Sequence, residues 1–532
     1  MRQLRPTAGA GVGVALLLAC LAGCVTPGGT VGRSTATAAG GAVAAAAGLS
    51  REDIEWLGRV GFGVNTATLI RYRELGRQRY LDDQLSVRDA ARQDAALPSA
   101  IALRIGALHL ERNDPVTVLR EVAAENQRIA ALNDGPDREQ ARKNQNERAN
   151  TAANAAIERD VLRGLYSPAQ LQETMVWFWL NHFSVHQYKG NLRWLIGDYE
   201  EQAIRPHALG HFRDLVLATL EHPAMLQYLD NAQNAAGHIN ENYARELMEL
   251  HTLGVTSGYG QRDVQELARI LTGVGINHTG ETPHLRRELE SLYVRRGAFE
   301  FNPARHDFGG KVLLGQTIPG RGWPEVEQAV TWIVQQPACA QFISRKLASY
   351  FVSEQPPAAL VAKMAQSFQH SDGDISAVLH TLFQSPEFLQ SLGTQFKDPR
   401  QFVFSAMRLA YDGQSIDNTR PVLNWLNALG EPPYGRVTPD GYAVGELAWA
   451  SSGQLSRRFE IAKAIGSGNA NLFDPEDGSA AATTGFPRLM SRLYYDGVEP
   501  YLSARTKEAL GHASSQQEWN TFLLSAPEFN YH

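Results

Sequence analysis

The chain has 532 residues, of which 43% are hydrophobic and 20% are charged, and its formal net charge is -6. This composition is that of a folded globular protein and excludes a disordered chain. The absence of a basic excess argues against binding to nucleic acid. The length exceeds one compact core of usual size, so it predicts roughly two to four domains or one large helical body with lobes.

Residues 1–23 have the pattern of a secretory signal peptide. Arg2 and Arg5 give a positive start, Val12–Leu18 is a short apolar run, and small residues follow it. The apolar run is too short for a stable membrane span. The sequence therefore predicts an exported protein that loses this segment.

The segment LAGC, residues 21–24, resembles the lipobox of bacterial lipoproteins. The resemblance implies cleavage before Cys24 and acylation of that residue, and several acyl chains anchor a protein firmly in a membrane. Two alternatives stay open, namely cleavage before Cys20 and secretion without a lipid. Val25 is not the aspartate associated with retention at the inner membrane, which favours the outer membrane of a Gram-negative cell.

Helical spacing of apolar residues dominates the rest of the chain, so the predicted fold class is mainly α. Residues 24–49 are mostly Gly, Ala, Thr and Ser and predict a flexible tether, and ordered sequence begins near Arg51. A turn at 133–136 introduces a long polar helix that continues to about residue 162. Such a helix is typical of a solvated face, and we assign no function to it.

The middle of the chain combines short helices with one strand signal. Residues 277–300 have the composition of an insertion. The stretch near 299–318 alternates apolar and polar residues around a Gly–Gly pair and predicts one small β-hairpin. The predicted helical domain covers residues 51–532. Its two possible lobes are residues 51–275 and residues 324–532.

Several segments together resemble the bacterial proteins of domain-of-unknown-function family 1800 (DUF1800). The most specific is NENYARELMELHTLGV at 240–255, and the others are LGRVGFGVN at 57–65, FWLNHFSV at 178–185, IRPHALGHFRDL at 204–215, HPAMLQYLDNAQN at 222–234, DVQELARILTG at 263–273, HDFGGKVLLG at 306–315 and PPYGRVTPDGY at 432–442. The resemblance covers the chain from about residue 51 to its last residue.

The resemblance implies an exported, largely helical bacterial protein with no agreed activity. It also implies a partner, because this family tends to be encoded beside another exported family of unknown function, numbered 1501, which resembles sulfatases and alkaline phosphatases. The expected partners are therefore a membrane, reached through lipidated Cys24, and a protein of that sulfatase-like family.

The segment NENYARELMELHTLG predicts an amphipathic helix with one apolar and one polar face. Arg245 can form ion pairs with the glutamates four residues before and after it. Glu246 and Glu249 lie three residues apart on the polar face, a spacing that suits carboxylates sharing a metal ion or a proton. His251 is expected on the apolar side.

Three interpretations of the polar face stay open: a solvated ladder of ion pairs, the wall of a cleft, or a buried structural network. The resemblance favours the cleft, because the motif specifies polar positions such as Asn242 as tightly as apolar ones. In a catalytic cleft, Glu246 and Glu249 are candidates for acid and base.

Other candidate residues lie in two further motifs. Asn181 and His182 occur in FWLNHFSV, and Arg205 precedes a proline that is expected to open a helix. Arg205 can hold an anion, a carboxylate of the 240–254 helix, or only a salt-bridge partner. Two histidine pairs have the four-residue spacing of metal ligands on a helix, His182 with His186 and His207 with His211.

His306 and Asp307 precede Gly309–Gly310, and Lys311 follows the glycines. A histidine beside an aspartate can perform acid–base chemistry, and Lys311 is a candidate binding residue. The alternative is that these residues merely cap a turn.

Several common sites are absent from the sequence. It contains no G-x-S-x-G nucleophile motif, P-loop or C-x-x-C pair, so a cysteine zinc site is excluded. Neither histidine pair has the glutamate of H-E-x-x-H, so no zinc protease is indicated. Cys339 lies in an apolar helical stripe, which predicts a buried and inert thiol.

Two functions remain in competition. The first is an accessory or binding lipoprotein with a polar cleft, and the second is an envelope hydrolase or transferase that uses carboxylates and histidine, with a divalent metal as an option. Convergence of the candidates in one pocket would favour the enzyme. The candidates are Asn181, His182, Arg205, Asn242, Glu246, Glu249, His306 and Asp307.

Overall fold

The computed structural model describes residues 49–86, 96–108, 110, 114–474 and 486–532. The predicted signal peptide, Cys24 and the tether up to residue 48 lie outside these residues. The described residues after Gly48 belong to one compact unit. Within the described ranges, no helix combines the length and the apolar composition needed to cross a bilayer.

The predicted fold class, mainly α, is confirmed. The first part of the chain contains the helices α1 (Arg51–Val60), α2 (Thr66–Leu85), α3 (Ser99–Ala107), α4 (Pro115–Ala130), α5 (Pro136–Tyr166), α6 (Gln170–His182), α7 (Ile196–Asp198), α8 (Phe212–Glu221), α9 (Pro223–Tyr228), α10 (Asn242–Glu246) and α11 (Gln261–Ile270). Two π-helical segments, Tyr199–Ile204 and Leu247–Thr252, continue α7 and α10, respectively.

The second part is helical after residue 322. It contains α12 (Trp323–Val334), α13 (Pro337–Phe351), α14 (Ala358–His370), α15 (Ile375–Phe383), α16 (Pro386–Gln390), α17 (Pro399–Tyr411), α18 (Arg420–Ala428), α19 (Glu446–Trp449), α20 (Ser452–Ser467), α21 (Arg492–Gly497), α22 (Ala504–Gly511), α23 (Gln516–Ser525) and α24 (Pro527–Asn530). Short 3-10 turns lie at Leu192–Trp194, Arg205–His207, Asn231–Gln233, Glu290–Leu292, Pro303–Arg305 and Glu499–Tyr501.

Local sequence explains where many of these helices begin. The Ser50 side chain accepts from the Asp53 amide, and the Asp53 carboxylate accepts from the Ser50 amide, which forms a capping box before α1. Asn65 and Asp398 cap α2 and α17 with a single hydrogen bond each, which the side chain accepts from an amide in the first turn. These caps satisfy amides that the first turn of a helix leaves without partners.

Two small sheets lie between α11 and α12. In the first, β3 (Phe299–Phe301) pairs antiparallel with both β1 (Val274–Ile276) and β2 (Val294–Arg296), and in the second, β4 (Lys311–Leu313) pairs with β5 (Gln316–Ile318). The predicted hairpin is therefore confirmed as β4–β5, whereas the three-stranded sheet was not predicted. Residues 277–300, the predicted insertion, contain β2 and enter β3.

The hairpin was predicted around Gly309–Gly310, but its turn lies at Leu314–Gly315. Leu314 and Gly315 have φ of 49° and 77°. A two-residue turn with positive φ at both positions matches the right-handed twist of the strands that it joins.

A continuous hydrophobic core runs through the helical body. The closest helix packing is between α20 and α23 and within the series α13, α14 and α15. Cys339 is fully buried in α13, as predicted, and burial raises the pKa of its thiol.

The long helix α5 differs from the prediction in its last turns. Its first half is largely exposed, as expected, but residues 156–165 are almost entirely buried. Arg159 and Arg163 are only 5% and 4% exposed. Their charges did not mark them as interior residues in the sequence, because their carboxylate partner, Glu201, lies 38 or more residues away.

Candidate functional site

The 240–254 segment forms a short α-helix, α10, that widens into a π-helix from Leu247 to Thr252. The Thr252 hydroxyl donates to the Leu247 carbonyl at 2.6 Å, and the amides of Leu253 and Gly254 both donate to the Met248 carbonyl. Gly254 ends the helix with φ of 83°. The prediction assumed a regular helix, so the wider turn is a difference from it.

The predicted division of this helix into two faces is confirmed. Tyr243, Leu247, Met248 and His251 are at most 1% exposed, whereas the polar residues are partly exposed. The Arg245 guanidinium lies 3.1 Å from the carboxylate of Glu241 and 3.3 Å from that of Glu249, so the predicted ion-pair ladder is also confirmed.

The two asparagines of the motif bind the preceding turn. Asn240 donates through Nδ2 to the Asp230 carbonyl, and its Oδ1 accepts from the Asn242 amide at 2.9 Å. Asn242 donates through Nδ2 to the Leu229 carbonyl at 3.1 Å. Both side chains therefore have structural roles that explain why the motif specifies them.

Glu246 differs from its neighbours. Among the described residues it has no hydrogen-bond or ion-pair partner. Partial burial and the negative charge of Glu249 raise its pKa above the ordinary value, the positive charge of Arg245 opposes this rise, and the charge of Asp440 adds to it. The negative charges of Glu249 and Asp440 therefore disfavour the ionised form of Glu246.

Asp440 reaches this region from the loop that carries PPYGRVTPDGY. The Asn181 side chain donates to the Tyr442 carbonyl at 3.0 Å and accepts from the Tyr442 amide at 2.6 Å. The Tyr228 hydroxyl donates to the Val437 carbonyl at 2.8 Å. Burial opposes ionisation of Asp440, but hydrogen bonds from Thr438 and Arg436 outweigh it and lower the pKa of this carboxyl.

Two buried histidines meet on the apolar side of this helix: His251 belongs to it, and His182 is the last residue of α6. The His182 imidazole donates through Nε2 to the His251 carbonyl at 2.9 Å, and the two rings are 5.9 Å apart between centroids. The Nδ1 atom of His182 and both ring nitrogens of His251 are buried, and no hydrogen-bond partner for them lies within the described part of the chain. Burial lowers the pKa of His251 to about 3 and that of His182 well below its ordinary value, and the positive charge of Lys346 acts in the same direction.

Lys346 belongs to α13, and its ammonium lies 5.5 Å from the centroid of the Phe342 ring. Burial lowers the pKa of Lys346, and the charge of Asp440 opposes that shift. We refer to Glu246, Glu249, Asp440, Lys346, His182 and His251 as the central cluster. Sequence reasoning missed Asp440 and Lys346; Asp440 lies within a family segment, but Lys346 had no local signal.

Arg205 begins the 3-10 turn that follows the π-helical segment Tyr199–Ile204. Its guanidinium forms two hydrogen bonds with the Glu173 carboxylate, at 2.9 and 3.0 Å, and one with Glu200 at 2.9 Å. All three side chains are at most 2% exposed. Of the alternatives open for Arg205, the structure shows a buried ion-pair network.

His306, Asp307 and Lys311 lie in a third place, beside α11 and α12. Asp307 accepts from the Gly309 amide at 2.8 Å and pairs with Arg269 at 2.8 Å, so it caps the turn. His306 donates through Nδ1 to the Thr272 carbonyl at 2.7 Å.

The opposite side of the His306 ring faces two buried charged side chains, Glu325 and Lys311. Its Nε2 lies 3.1 Å from the Glu325 carboxylate, and the Lys311 ammonium lies 2.5 Å from the same oxygen. Burial opposes ionisation of Glu325, but His306 and Lys311 outweigh it and lower its pKa. This cluster compensates its own charges and has a structural role in joining the turn to α12.

The histidine pairs form no metal centre in the part of the chain that the structure describes. Within those residues, no group of three or more His, Cys, Asp or Glu side chains is arranged to hold a metal ion. His211 instead contacts the Asp372 carbonyl through Nδ1 at 3.0 Å.

The helical fold and the motifs around the central cluster define the class to which the chain belongs, a largely helical protein family. A family model described as "Protein of unknown function (DUF1800)" matches residues 55–531. The chain therefore belongs to the DUF1800 family. No curated protein and no solved structure matches it.

Proposed function

We propose that this protein is an exported lipoprotein of the cell envelope that acts by binding a partner at the central cluster. The observation that carries the proposal is the separation of the candidate residues. Arg205 and the His306–Lys311 turn belong to local networks that satisfy their own charges, so they are not available to assist Glu246 and Glu249. An enzyme built on all of these residues would require them to converge.

The central cluster contains polar groups that have no hydrogen-bond partner among the described residues. Among the described residues, neither buried nitrogen of the His251 ring has a hydrogen-bond partner, and Glu246 makes no hydrogen bond. A buried polar atom without a partner costs about 1–3 kcal/mol. Such a cost is commonly retained where the protein binds another group.

The location in the envelope rests on the sequence before residue 49. The signal-peptide pattern and the lipobox resemblance support export and a lipid anchor on Cys24, with the outer membrane as the proposed site. Replacement of Cys24 by Ser tests the anchor: the variant should move from the membrane fraction to the soluble fraction. Retention of the variant in membranes would refute anchoring through Cys24.

We propose the sulfatase-like family numbered 1501 as the source of the partner. A full-length, detergent-purified protein should co-purify with its co-expressed sulfatase-like neighbour. The double variant Glu246→Gln/Lys346→Met should lose that partner, because it removes both unpaired charges of the central cluster. The matched control, Arg213→Ala, should retain the partner, because this arginine is 45% exposed and its ion pair is with the adjacent Asp214. Equal recovery of the partner by all three proteins would reject the central cluster as the binding surface.

An envelope hydrolase or transferase is the second candidate, and one observation favours it. Glu246 has a raised pKa, and neighbouring Asp440 has a lowered one. Two carboxyls whose surroundings shift their pKa values apart are suited to the roles of acid and ionised carboxylate. Thermal melts with and without Mg²⁺, Ca²⁺ or Zn²⁺ test a metal-assisted form of this activity. A metal-dependent rise in wild type that Glu246→Gln/Glu249→Gln loses would support it, and no rise would remove the metal from the mechanism.

A further inference from the structure

A cavity of about 960 Å³ lies in a part of the fold that none of the predicted site residues lines. Its walls are the end of α3, Leu110 and the start of α4, the second half of α5, the segment 193–203, the junction between α8 and α9, and the turn between β2 and β3. The volume is at the upper end of the ~300–1,000 Å³ that is usual for small-molecule sites. The cavity therefore has room for an elongated ligand.

Positive and negative residues balance in the lining. Four arginines and four carboxylates face the cavity, together with His222; they are Arg159, Arg163, Arg193, Arg296, Asp114, Asp198, Glu201 and Glu221. This balance does not suit a phosphate-rich ligand, which needs a net positive site. An acyl chain is also unsuitable, because it would remove these charges from water without replacing their hydrogen bonds.

Ion pairs hold the charged side chains in fixed positions. Glu201 forms an ion pair with Arg159 at 3.1 Å and accepts a hydrogen bond from Arg163 at 2.7 Å. These partners outweigh burial and lower the pKa of Glu201 to about 2. Arg296 pairs with Glu221 at 2.6 Å across the wall formed by the β2–β3 turn.

His222 and Asp198 form a second oriented pair. The Nδ1 atom of His222 accepts from the Ala224 amide at 3.1 Å, so the ring proton resides on Nε2. Nε2 donates to the Asp198 carboxylate at 2.9 Å. The Asp198 side chain is 24% exposed, and its second oxygen can accept a hydrogen bond from a ligand.

Arg193 is positioned by neutral groups. It donates to Asn150 at 2.8 Å and to Asn146 at 2.9 Å, and no carboxylate among the described residues neutralises it. Its guanidinium stacks 5.7 Å from the centroid of the Tyr188 ring, which is 62% exposed. Trp194, the next residue, lines the cavity itself.

We propose that this cavity binds an uncharged oligosaccharide. A sugar hydroxyl both donates and accepts hydrogen bonds, so it can meet a wall of alternating arginines and carboxylates. The C–H face of a pyranose ring can pack on the amphipathic ring of Trp194, which lines the cavity. The proposal does not depend on the central cluster or its partner.

A glycan array tests the ligand class with full-length, detergent-purified protein. The array contains maltotriose, cellotriose and tri-N-acetylglucosamine as neutral probes, and trigalacturonate and inorganic phosphate are titrated separately. Saturable binding of at least one neutral trisaccharide is the expected result. Absence of binding to all neutral probes, or preference for trigalacturonate or phosphate, would overturn the proposal.

Two variants locate the binding site. Asp198→Asn and Trp194→Leu should each weaken binding of the selected trisaccharide by about tenfold or more in calorimetric titration, which corresponds to the loss of one good contact. Arg213→Ala is the matched control and should bind as wild type does. Arg193→Gln changes a third residue that lines the cavity. A thermal melt of each variant checks that it is folded. Unchanged binding by Asp198→Asn, Trp194→Leu and Arg193→Gln, each with a normal melt, would place the ligand elsewhere.

Discussion

Asn181 and Tyr442 are joined by a reciprocal pair of hydrogen bonds: the Asn181 amide donates to the Tyr442 carbonyl at 3.0 Å, and its oxygen accepts from the Tyr442 amide at 2.6 Å. The residues are 261 positions apart in the chain. The pair fixes the loop that carries Asp440 against the C-terminal end of α6. Two family motifs, FWLNHFSV and PPYGRVTPDGY, are therefore parts of one structural unit.

Replacement of Asn181 by Ala should release this loop. The change leaves the Tyr442 amide and carbonyl without their partners, and we expect a loss of about 1–3 kcal/mol in the free energy of unfolding. Urea denaturation measures that loss, and amide hydrogen exchange at Tyr442 should become faster. Asn427→Ala is the control, because exposed Asn427 bonds only to the Leu423 carbonyl within its own helix. Slow exchange at Tyr442 in Asn181→Ala would contradict the assigned role.

Glu246→Gln should stabilise the protein at neutral pH. Burial and the charge of Glu249 raise the pKa of Glu246, so its stabilising contribution is complete below the ordinary carboxyl value and is lost as pH rises through the raised value. The variant should melt about 1–2 °C above wild type at pH 7 and level with it below about pH 4. Glu241→Gln, which breaks the 3.1 Å pair with Arg245, should give no rise. A lower melting temperature for Glu246→Gln at pH 7 would show that the carboxylate is stabilised.

Arg205→Met should destabilise the protein strongly. It leaves the carboxylates of Glu173 and Glu200 buried without their main cation, and loss of one partner of such a network costs about 3–5 kcal/mol. Chemical denaturation gives the value, with Arg213→Ala as an exposed control expected within about 0.5 kcal/mol of wild type. A small effect of Arg205→Met would indicate that water enters the network.

His251→Leu should reduce the loss of stability that the protein shows as pH falls below neutral. Burial lowers the pKa of His251 to about 3. Between that value and the ordinary one near 6.5, the unfolded chain binds a proton that the folded chain does not, so stability falls as pH decreases, by at most about 1.4 kcal/mol per pH unit. Urea midpoints from about pH 7 to 4 should therefore fall less steeply in the variant. An exposed histidine, His370, provides the control substitution to Leu, and identical slopes in wild type and His251→Leu would refute the buried neutral state.

Sequence pattern was sufficient for features that depend on neighbours in the chain. The apolar and polar faces of the 240–254 helix and its Arg245 ion pairs followed from helical spacing. The helix widens at Leu247, however, because buried contacts and the Thr252 hydrogen bond favour a longer turn that local propensity does not encode.

Features that depend on distant partners could not be predicted in the same way. Arg205 had several conceivable carboxylate partners, and only the packing of α6 selects Glu173. Lys346 joins the central cluster from α13, about 100 residues after Glu246, and its neighbours in sequence carry no mark of that position. The cavity beside Asp198 was missed for the same reason, since its walls come from segments that are far apart in the chain.

The wide turn at Leu247–Thr252 also bears on how the chain can vary over evolutionary time. A single π-turn is equivalent to an α-helix into which one residue has been inserted without shifting the flanking turns. Loss of one residue here would restore ordinary pitch and leave Gly254 at the same helix end. Relatives that are one residue shorter in this turn can therefore share the fold, and an ungapped comparison of such chains would place His251 opposite the wrong residue.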